Sequence, residues 1–275
     1  MKKITKNYVR AHIKKRDAFS NKNDYGHALI IAGNTGKMGA AVIAAKACLR
    51  SGTGLLTVSV PHDERFTMQT TIPEAMLEIR GVNEYDLHKF SAMGVGPGIG
   101  VDAFSEETFT HLMTNFNKPL LLDADVLTLL ASNKNLLSKL PKNTIITPHR
   151  NEFDRLFGKH NNNTDRINTA IKKAHEFGII IILKNHITAI IAPDKLFYNT
   201  TGNAGLAKGG SGDALTGIIT AFLAQGYTPL TAAKIGVYLH GLAADITLKQ
   251  QSMETMLITD VIENLGKALK KIMRK

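Results

Sequence analysis

The chain has 275 residues, 44% of them hydrophobic, so it is long enough to bury a large core. Its net charge of +11 comes from its two ends, because residues 1–25 carry eight Lys or Arg against two Asp and residues 264–275 carry five against none. A neutral body between basic ends favours a solvated surface over a nucleic-acid groove, and no nucleic-acid partner is expected. The sequence has a single cysteine, no apolar leader and no apolar run of the ~20 residues that span a bilayer. These features predict a cytoplasmic protein without a membrane partner.

Short apolar runs alternate with helical patterns over the first part of the chain, which is typical of parallel strands covered by helices. The predicted strands are residues 27–32, 55–60, 92–95, 119–122 and 144–146, and the predicted helices are residues 40–50, 105–115 and 151–157. Cys48 lies among alanines on the first of these helices. A packed thiol is therefore favoured over a nucleophile at this position.

The second part of the chain begins with strands and ends with helices. Residues 179–183 predict a strand, and residues 186–192 and 195–198 predict an antiparallel hairpin with its turn at Pro193-Asp194. Residues 213–224, 230–248 and 260–272 predict three helices, of which the first two are apolar enough to pack inside the fold. No repeat or linker divides the sequence. Residues 1–275 are thus predicted to form one three-layer α/β/α domain with a mostly parallel central sheet.

Glycine-rich turns follow two of the predicted strands, at residues 33–40 and 94–100. The first matches neither the phosphate loop nor the dinucleotide fingerprint. Both turns would nevertheless let a ligand approach the backbone at the carboxyl ends of strands, where open α/β sheets bind their ligands. Each turn alone is weak evidence, but together with a third at residue 209 they predict a shared cleft.

The third glycine-rich segment, which contains Gly209, Gly210 and Gly212, stands directly before an apolar helix. Backbone N–H groups can converge there, and the helix N-terminus adds a partial positive charge, so the segment predicts a phosphate or phosphoryl site. Asp213 at the rim would accept a proton from an attacking hydroxyl. The local sequence equally permits an ordinary turn in which Asp213 only complements the helix dipole.

Polar residues also follow two buried strands. Asp123 and Asp125 could organise Mg²⁺ through water or cap the next helix, and a structural role is favoured for Asp125. His149 could donate a hydrogen bond to a substrate and Glu152 could contact metal-bound water, or His149 could be exposed and Glu152 a first-turn carboxylate. No His or Cys pair has zinc spacing, so no structural metal is expected.

Taken in order, these segments resemble the ADP/ATP-dependent NAD(P)H-hydrate dehydratases, a branch of the ribokinase-like superfamily. The resemblance extends from about residue 26 to residue 245 and implies a ribokinase-like fold. The segments that carry it are residues 33–40, 50–55, 96–100, 122–125, 147–149 with Glu152, and 208–213.

The resemblance also implies the roles of individual residues. The hydrated nicotinamide would bind at Ala40, Gly98, Gly100, His149 and Asp213, and the nucleotide would bind at Lys184, Asn185, His186, Ile187, Thr188 and Gly212. Catalysis would rest on Asp213 as the base, with Gly210 and Gly212 in the amide cradle. Asn185 stands where the family has glycine, and Arg150-Asn151 stands where Pro-Gly is usual.

The implied reaction is the ADP-dependent dehydration of (S)-NADH and (S)-NADPH hydrates, in which ADP is converted to AMP and phosphate. The resemblance implies Mg²⁺ as cofactor, ADP or ATP as co-substrate, a separate hydrate epimerase as functional partner, and a homotetramer. The alternative is a ribokinase-like kinase for a vitamin precursor or another small alcohol, which would use the same cradle but release a phosphate ester. A non-catalytic nucleotide-binding or nucleic-acid-binding protein is disfavoured, because mere binding gains nothing from Asp213 beside phosphate.

Overall fold

The computed structural model describes residues 2–81 and 86–274. Within these ranges, ten strands form one sheet. In chain order they are β1 (Lys2–Lys3), β2 (His27–Ile31), β3 (Leu55–Val60), β4 (Met76–Ile79), β5 (Ala92–Val95), β6 (Leu120–Leu122), β7 (Ile145–Ile146), β8 (Ile180–Leu183), β9 (Ala189–Ala192) and β10 (Lys195–Tyr198). Across the sheet the order is β1-β10-β9-β8-β7-β6-β5-β2-β3-β4.

All neighbouring strands are parallel except β8–β9 and β9–β10, which are antiparallel. The mostly parallel sheet and the hairpin of β9 and β10 are confirmed. The prediction that β9 begins at residue 186 is wrong, because it begins at Ala189. The Asn185 side chain accepts a hydrogen bond from the His186 amide at 2.8 Å, and this local turn replaces the first residues of the predicted strand.

Helices cover both faces of the sheet. They are α1 (Lys6–His12), α2 (Met38–Arg50), α3 (Arg65–Thr71), α4 (Ala103–Asn115), α5 (Asp125–Ser132), α6 (Arg150–Phe157), α7 (Asn163–Phe177), α8 (Ser211–Ala224), α9 (Pro229–Thr247), α10 (Ile258–Glu263) and α11 (Leu265–Met273). In the described part of the chain, none of these helices is both long and apolar enough to cross a membrane.

Strand β2 shows how the layers are built, because its alternate side chains enter different cores. Ala28 and Ile30 pack in one cluster with residues of α2, α8 and α9. Leu29 and Ile31 pack in the other cluster with residues of α4 to α7. Since successive side chains of a strand point to opposite faces, the sheet is the middle of three layers, as predicted.

The packing of α8 against α2 sets the position of the predicted phosphate site. A Cβ atom at Gly217 of α8 would lie 2.0 Å from the carbonyl oxygen of Ala44 in α2, so only glycine permits the two backbones to lie this close. Nearly all of α8 from Ala214 onwards is buried, and so is most of α9, which confirms their predicted place inside the fold. Cys48 is buried as well, and burial raises the pKa of its thiol, which confirms the packed thiol.

The prediction of one helix over residues 260–272 is wrong. Two helices, α10 and α11, occupy this region and meet at Asn264. The buried Asn264 amide donates to Thr247 Oγ1 of α9 at 2.9 Å and to the Asp260 carbonyl at 3.1 Å. These tertiary and local hydrogen bonds hold the junction, and the hydrophobic period of the sequence does not reveal them.

Candidate active site

The carboxyl ends of five adjacent parallel strands form one edge of the sheet, because β8, β7, β6, β5 and β2 are neighbours. Asp123 follows β6, His149 lies after β7 and Lys184 follows β8. The glycine turns that follow β2 and β5 reach the same edge, where the Gly33 amide donates to the Pro97 carbonyl at 2.8 Å. The sheet topology therefore collects motifs that are far apart in the sequence.

A partly buried ion pair joins two of these strand ends. Lys184 Nζ lies 2.8 Å from Asp123 Oδ1, and Thr216 Oγ1 of α8 donates to Asp123 Oδ2 at 3.0 Å. Burial opposes the charge of Lys184, but Asp123, Glu152 and Asp213 outweigh it and raise the lysine pKa. Asp123 does not cap the next helix, because Ala124 is the N-cap of α5 and has no side-chain hydrogen bond. The capping alternative for Asp123 and Asp125 is therefore wrong.

His149 and Glu152 form the N-terminal capping box of α6. His149 Nδ1 accepts from the amides of Asn151 and Glu152 at 3.0 and 3.3 Å, and Glu152 Oε2 accepts from the His149 amide at 2.7 Å. Because Nδ1 is an acceptor, the proton of the neutral ring lies on Nε2. Burial and the nearby Asp123 raise the pKa of Glu152, although Lys184, 4.0 Å away, opposes this effect. The two residues thus serve the helix and also present a donor and a carboxylate at the edge.

The segment before α8 forms a bend with free amides. Gly210 has φ +90°, a left-handed conformation that favours glycine, and it is the N-cap of the helix. The Ser211 amide donates to the Lys208 carbonyl at 3.3 Å. For Gly209, Gly210 and Gly212, by contrast, the described residues provide no acceptor. Three unpaired N–H groups at the positive end of a 14-residue helix suit an anion.

Asp213 lies beside these amides in the first turn of α8 and is half-buried. Burial raises the pKa of its carboxyl to about 6, with Asp123 and Asp125 adding to the shift and Lys184 opposing it. A carboxylate with this pKa is ionised at neutral pH and still basic enough to accept a proton. The arrangement thus suits a general base beside a bound anion.

A second group of residues lies where the turns after β2 and β5 meet. A Cβ atom at Gly98 would lie 3.2 Å from the Cβ of Ala40, and the Gly100 amide donates to Asp125 Oδ2 at 2.9 Å. Lys37 Nζ is 3.6 Å from the same carboxylate oxygen. Asp125 therefore holds a turn in place, the structural role favoured from the sequence, and Ala40, Gly98 and Gly100 come together as a small patch.

A cavity of about 730 Å³ opens between the α8 segment and α9. Five of the residues predicted to bind nucleotide line it: Lys184, Asn185, His186, Thr188 and Gly212. Ile187 is not among the lining residues and its side chain is 47% exposed. The cavity is also lined by residues that the sequence analysis missed, namely Asn199, Thr201, Asn203, Leu206, Leu215, Val237 and His240. The run of polar residues at 199–203 is a sequence feature that could have predicted part of this lining. A histidine inside an apolar helix, such as His240, does not indicate a cavity.

No group of three His, Cys, Asp or Glu side chains in the described residues could hold a metal ion. Asp123 and Glu152 flank Lys184 at the edge of the sheet. Two carboxylates fit a Mg²⁺ ion that keeps most of its ligands from phosphate oxygens and water. They do not fit an ion held by the protein alone.

Comparison with known proteins gives consistent results over most of the chain. A family model described as NAD(P)H-hydrate dehydratase matches residues 28–267. An ADP-dependent (S)-NAD(P)H-hydrate dehydratase of Listeria monocytogenes is 34% identical over 98% of this chain and 97% of the relative. A bifunctional NAD(P)H-hydrate repair enzyme of Moorella thermoacetica is 33% identical over 98% of this chain, which spans about half (54%) of that longer protein.

Solved structures agree with the fold. The ADP/ATP-dependent NAD(P)H-hydrate dehydratase of Bacillus subtilis, co-crystallised with ATP and Mg²⁺, superposes with a TM-score of 0.88 at 31% identity, covering 98% of each chain. A hydroxyethylthiazole kinase of Pyrococcus horikoshii, at 16% identity and a TM-score of 0.65 over 90% of this chain and 89% of its own, shares the fold alone. These neighbours confirm the ribokinase-like architecture. With the family model matched over residues 28–267, the chain belongs to the NAD(P)H-hydrate dehydratase family.

Proposed function

We propose that this protein uses ADP to dehydrate (S)-NADH hydrate and (S)-NADPH hydrate back to the reduced dinucleotides, as a carbon–oxygen lyase. The activity for which the Listeria relative is named supports this reaction and its co-substrate, since that relative aligns over nearly its whole length. The Bacillus enzyme, described as ADP/ATP-dependent, makes ATP the second nucleotide to test. We propose further that residues 1–275 act as a single catalytic domain.

The observation that carries the proposal is the position of Asp213. Its carboxylate, with a pKa of about 6, adjoins the unpaired amides at the start of α8. The charge of Asp213 is influenced by Asp125, which accepts a hydrogen bond from the Gly100 amide, and by Lys184, which lines the cavity, so the carboxylate lies near both groups of residues. A base between two sites suits a reaction that joins two substrates.

In the proposed reaction, Asp213 takes the proton from the C6 hydroxyl of the hydrated nicotinamide ring, and the resulting oxygen attacks the terminal phosphoryl group of ADP. The bond to the bridging oxygen breaks and AMP leaves. The ring nitrogen lone pair then expels phosphate from C6, and loss of a proton from the adjacent carbon restores the double bond. The amides of Gly209, Gly210 and Gly212 stabilise the charge on the transferring group.

The remaining residues hold the two substrates. Ala40, Gly98, Gly100 and the Nε2–H of His149 contact the hydrated nicotinamide. For the nucleotide, residues 184–188 and Gly212 form the binding site, in which Lys184 places a positive charge beside the cradle. Mg²⁺, when bound to the phosphates with water and the nearby carboxylates, neutralises charge on the nucleotide oxygens.

The decisive experiment incubates the protein with hydrated NADH, Mg²⁺ and either ADP or ATP, and follows the return of reduced-nicotinamide absorbance together with inorganic phosphate. Restored absorbance with one phosphate per turnover supports the proposal. A phosphorylated alcohol without restored absorbance would favour the kinase alternative. Asp213→Asn should bind ADP with nearly unchanged affinity and lose several orders of magnitude in turnover; near-normal turnover would refute the base.

The wider setting is also proposed. Bifunctional relatives such as the Moorella enzyme combine repair activities in one longer chain, which supports functional coupling of this protein to a hydrate epimerase. The cytoplasmic location predicted from the sequence and the homotetramer implied by the resemblance remain proposals. Size-exclusion chromatography with light scattering would test the tetramer.

A further inference from the structure

His240 is a buried polar residue that the proposed reaction does not use. It lies in the apolar middle of α9, is 5% exposed, and its Nε2 has no hydrogen-bond partner among the described residues. A buried polar atom without a partner destabilises a fold, so such atoms call for an explanation. The ring also lines the 730 Å³ cavity that contains Lys184 and Gly212. A ligand in this cavity would supply the missing partner.

The other polar groups at this end of the cavity are already engaged with the protein. The Asn199 amide donates to the Thr201 carbonyl at 2.8 Å, and Thr201 Oγ1 donates to the Tyr238 carbonyl at 2.8 Å. The Asn203 side chain donates to Asp245 at 3.1 Å and accepts from the Gly205 amide at 3.0 Å. For two buried side-chain atoms, His240 Nε2 and Gln251 Oε1, the described ranges provide no partner, and of these two only His240 Nε2 belongs to a residue that lines the cavity.

The chemistry of His240 suits an uncharged ligand group. Burial, together with the positive charge of Lys184, lowers the pKa of His240 to about 4, so the ring is neutral at physiological pH. A neutral imidazole both donates and accepts, one bond at each nitrogen. Lys184 and the unpaired amides of Gly209, Gly210 and Gly212 already provide positive charge for the phosphates. Apolar side chains that line the same cavity, from Leu206, Leu215 and Val237, suit the flat face of a base.

We propose that His240 forms a hydrogen bond with the nucleoside part of the bound nucleotide, at the edge of its base or at a ribose hydroxyl, and thereby selects the nucleotide. Protein atoms enclose Nε2, so the imidazole has to rotate for this nitrogen to reach a ligand in the cavity. This inference rests on the proposed binding of nucleotide in the cavity. It adds a specificity-determining residue that neither touches the transferring phosphoryl group nor acts as the base.

The test compares the binding of Mg-ADP and Mg-pyrophosphate by calorimetry in the wild type, His240→Leu and His240→Gln. Pyrophosphate carries the phosphates without the nucleoside. We expect His240→Leu to weaken ADP binding by about 10- to 100-fold, the loss of one buried hydrogen bond, with pyrophosphate affinity unchanged. His240→Gln, which keeps a donor and an acceptor, should recover part of the ADP affinity. His175→Leu is the matched control, because His175 is exposed on α7.

Folding is checked separately by thermal unfolding without ligand. Because His240→Leu removes an unpaired polar atom, its melting temperature should equal or exceed that of the wild type. Equal weakening of ADP and pyrophosphate, or unchanged ADP affinity, would overturn the inference. 2′-Deoxy-ADP and 3′-deoxy-ADP identify the partner. If the wild type binds either analogue as weakly as His240→Leu binds ADP, the partner is a ribose hydroxyl, and wild-type affinity for both analogues identifies the base edge. A wild type that binds ADP but restores no NADH would refute the proposed function and leave this inference standing.

Discussion

Replacing the proposed base should make the protein more stable at neutral pH while it abolishes turnover. Asp213 is held where burial and two neighbouring carboxylates, Asp123 and Asp125, disfavour its charge. Asparagine has nearly the same shape without that charge. We therefore expect Asp213→Asn to raise the free energy of unfolding at pH 7, in contrast to most substitutions of partly buried polar residues.

The size and pH dependence of this gain follow from the pKa of Asp213, which is about 6 in the fold against 3.8 for an unperturbed aspartate. Because the folded pKa is raised, the ionised carboxylate costs stability above the unfolded pKa and costs nothing well below it. A tenfold difference in proton affinity corresponds to about 1.4 kcal/mol, which sets a ceiling of about 3 kcal/mol at pH 7. Solvent screening at the half-buried group reduces the expected gain to about 1–2 kcal/mol.

The assay is urea unfolding of the wild type and Asp213→Asn at pH 5, 6, 7 and 8 at constant ionic strength. The gain should be largest and nearly constant above pH 7, should fall to about half at pH 5, and should fall to about a fifth at pH 4 if the protein remains folded there. Asp63→Asn is the control, because its side chain is 94% exposed. A variant that is less stable at every pH, or a gain that does not change with pH, would refute the assigned environment of Asp213.

Three further predictions concern the site and its scaffold. Turnover under saturating substrates should fall about tenfold per pH unit below pH 6, as Asp213 becomes protonated, in a pH–rate profile; a rate independent of pH between 5 and 7 would contradict this. Lys184→Met removes the cation that lowers the pKa of Asp213, so the fall in turnover at low pH should begin at a higher pH, and ADP binding measured by calorimetry should weaken. A pH–rate profile equal to that of the wild type would argue against coupling between Lys184 and Asp213. Gly217→Ala places a Cβ 2.0 Å from the Ala44 carbonyl oxygen and should cost about 3 kcal/mol or more in urea unfolding, whereas Gly266→Ala, with nothing within 4 Å, should stabilise by about 0.5–1 kcal/mol; equal effects of the two would show that α8 and α2 can separate freely.

The sequence predicts the sheet well where a strand is buried on both faces. Runs such as Leu120–Leu122 and Ile180–Leu183 have no polar residue and are bounded by turn residues, and they form the central strands. Strand β4 was missed because Met76–Ile79 lies at the edge of the sheet and is partly exposed, so its composition resembles a loop. The ligand edge could be predicted because it follows from parallel strands alone.

Local sequence does not predict features that depend on distant contacts. The Lys184–Asp123 ion pair joins residues 61 positions apart, and its register is set by β7, which lies between β6 and β8. His240 looks like a core residue until Thr201 and α8 are folded around the cavity. His149 both caps α6 and lines the cavity. These two roles cannot be predicted without knowing the direction in which the helix begins.

Charge balance connects the nucleotide site with the base. A phosphate arriving at the cradle brings negative charge close to Asp213, whose pKa is already about 6. Without compensation, its arrival would raise that pKa further and protonate the base when it is needed. The unpaired amides of α8 and the Lys184 ammonium provide positive charge on the nucleotide side. Lys184 can do this because nearby carboxylates, Asp123 first, keep the partly buried ammonium charged, and Thr216 of α8 holds Asp123 in place. In the proposed reaction, the Lys184–Asp123 ion pair would therefore influence catalysis through the protonation state of Asp213, and a change in the ion pair would also change the base.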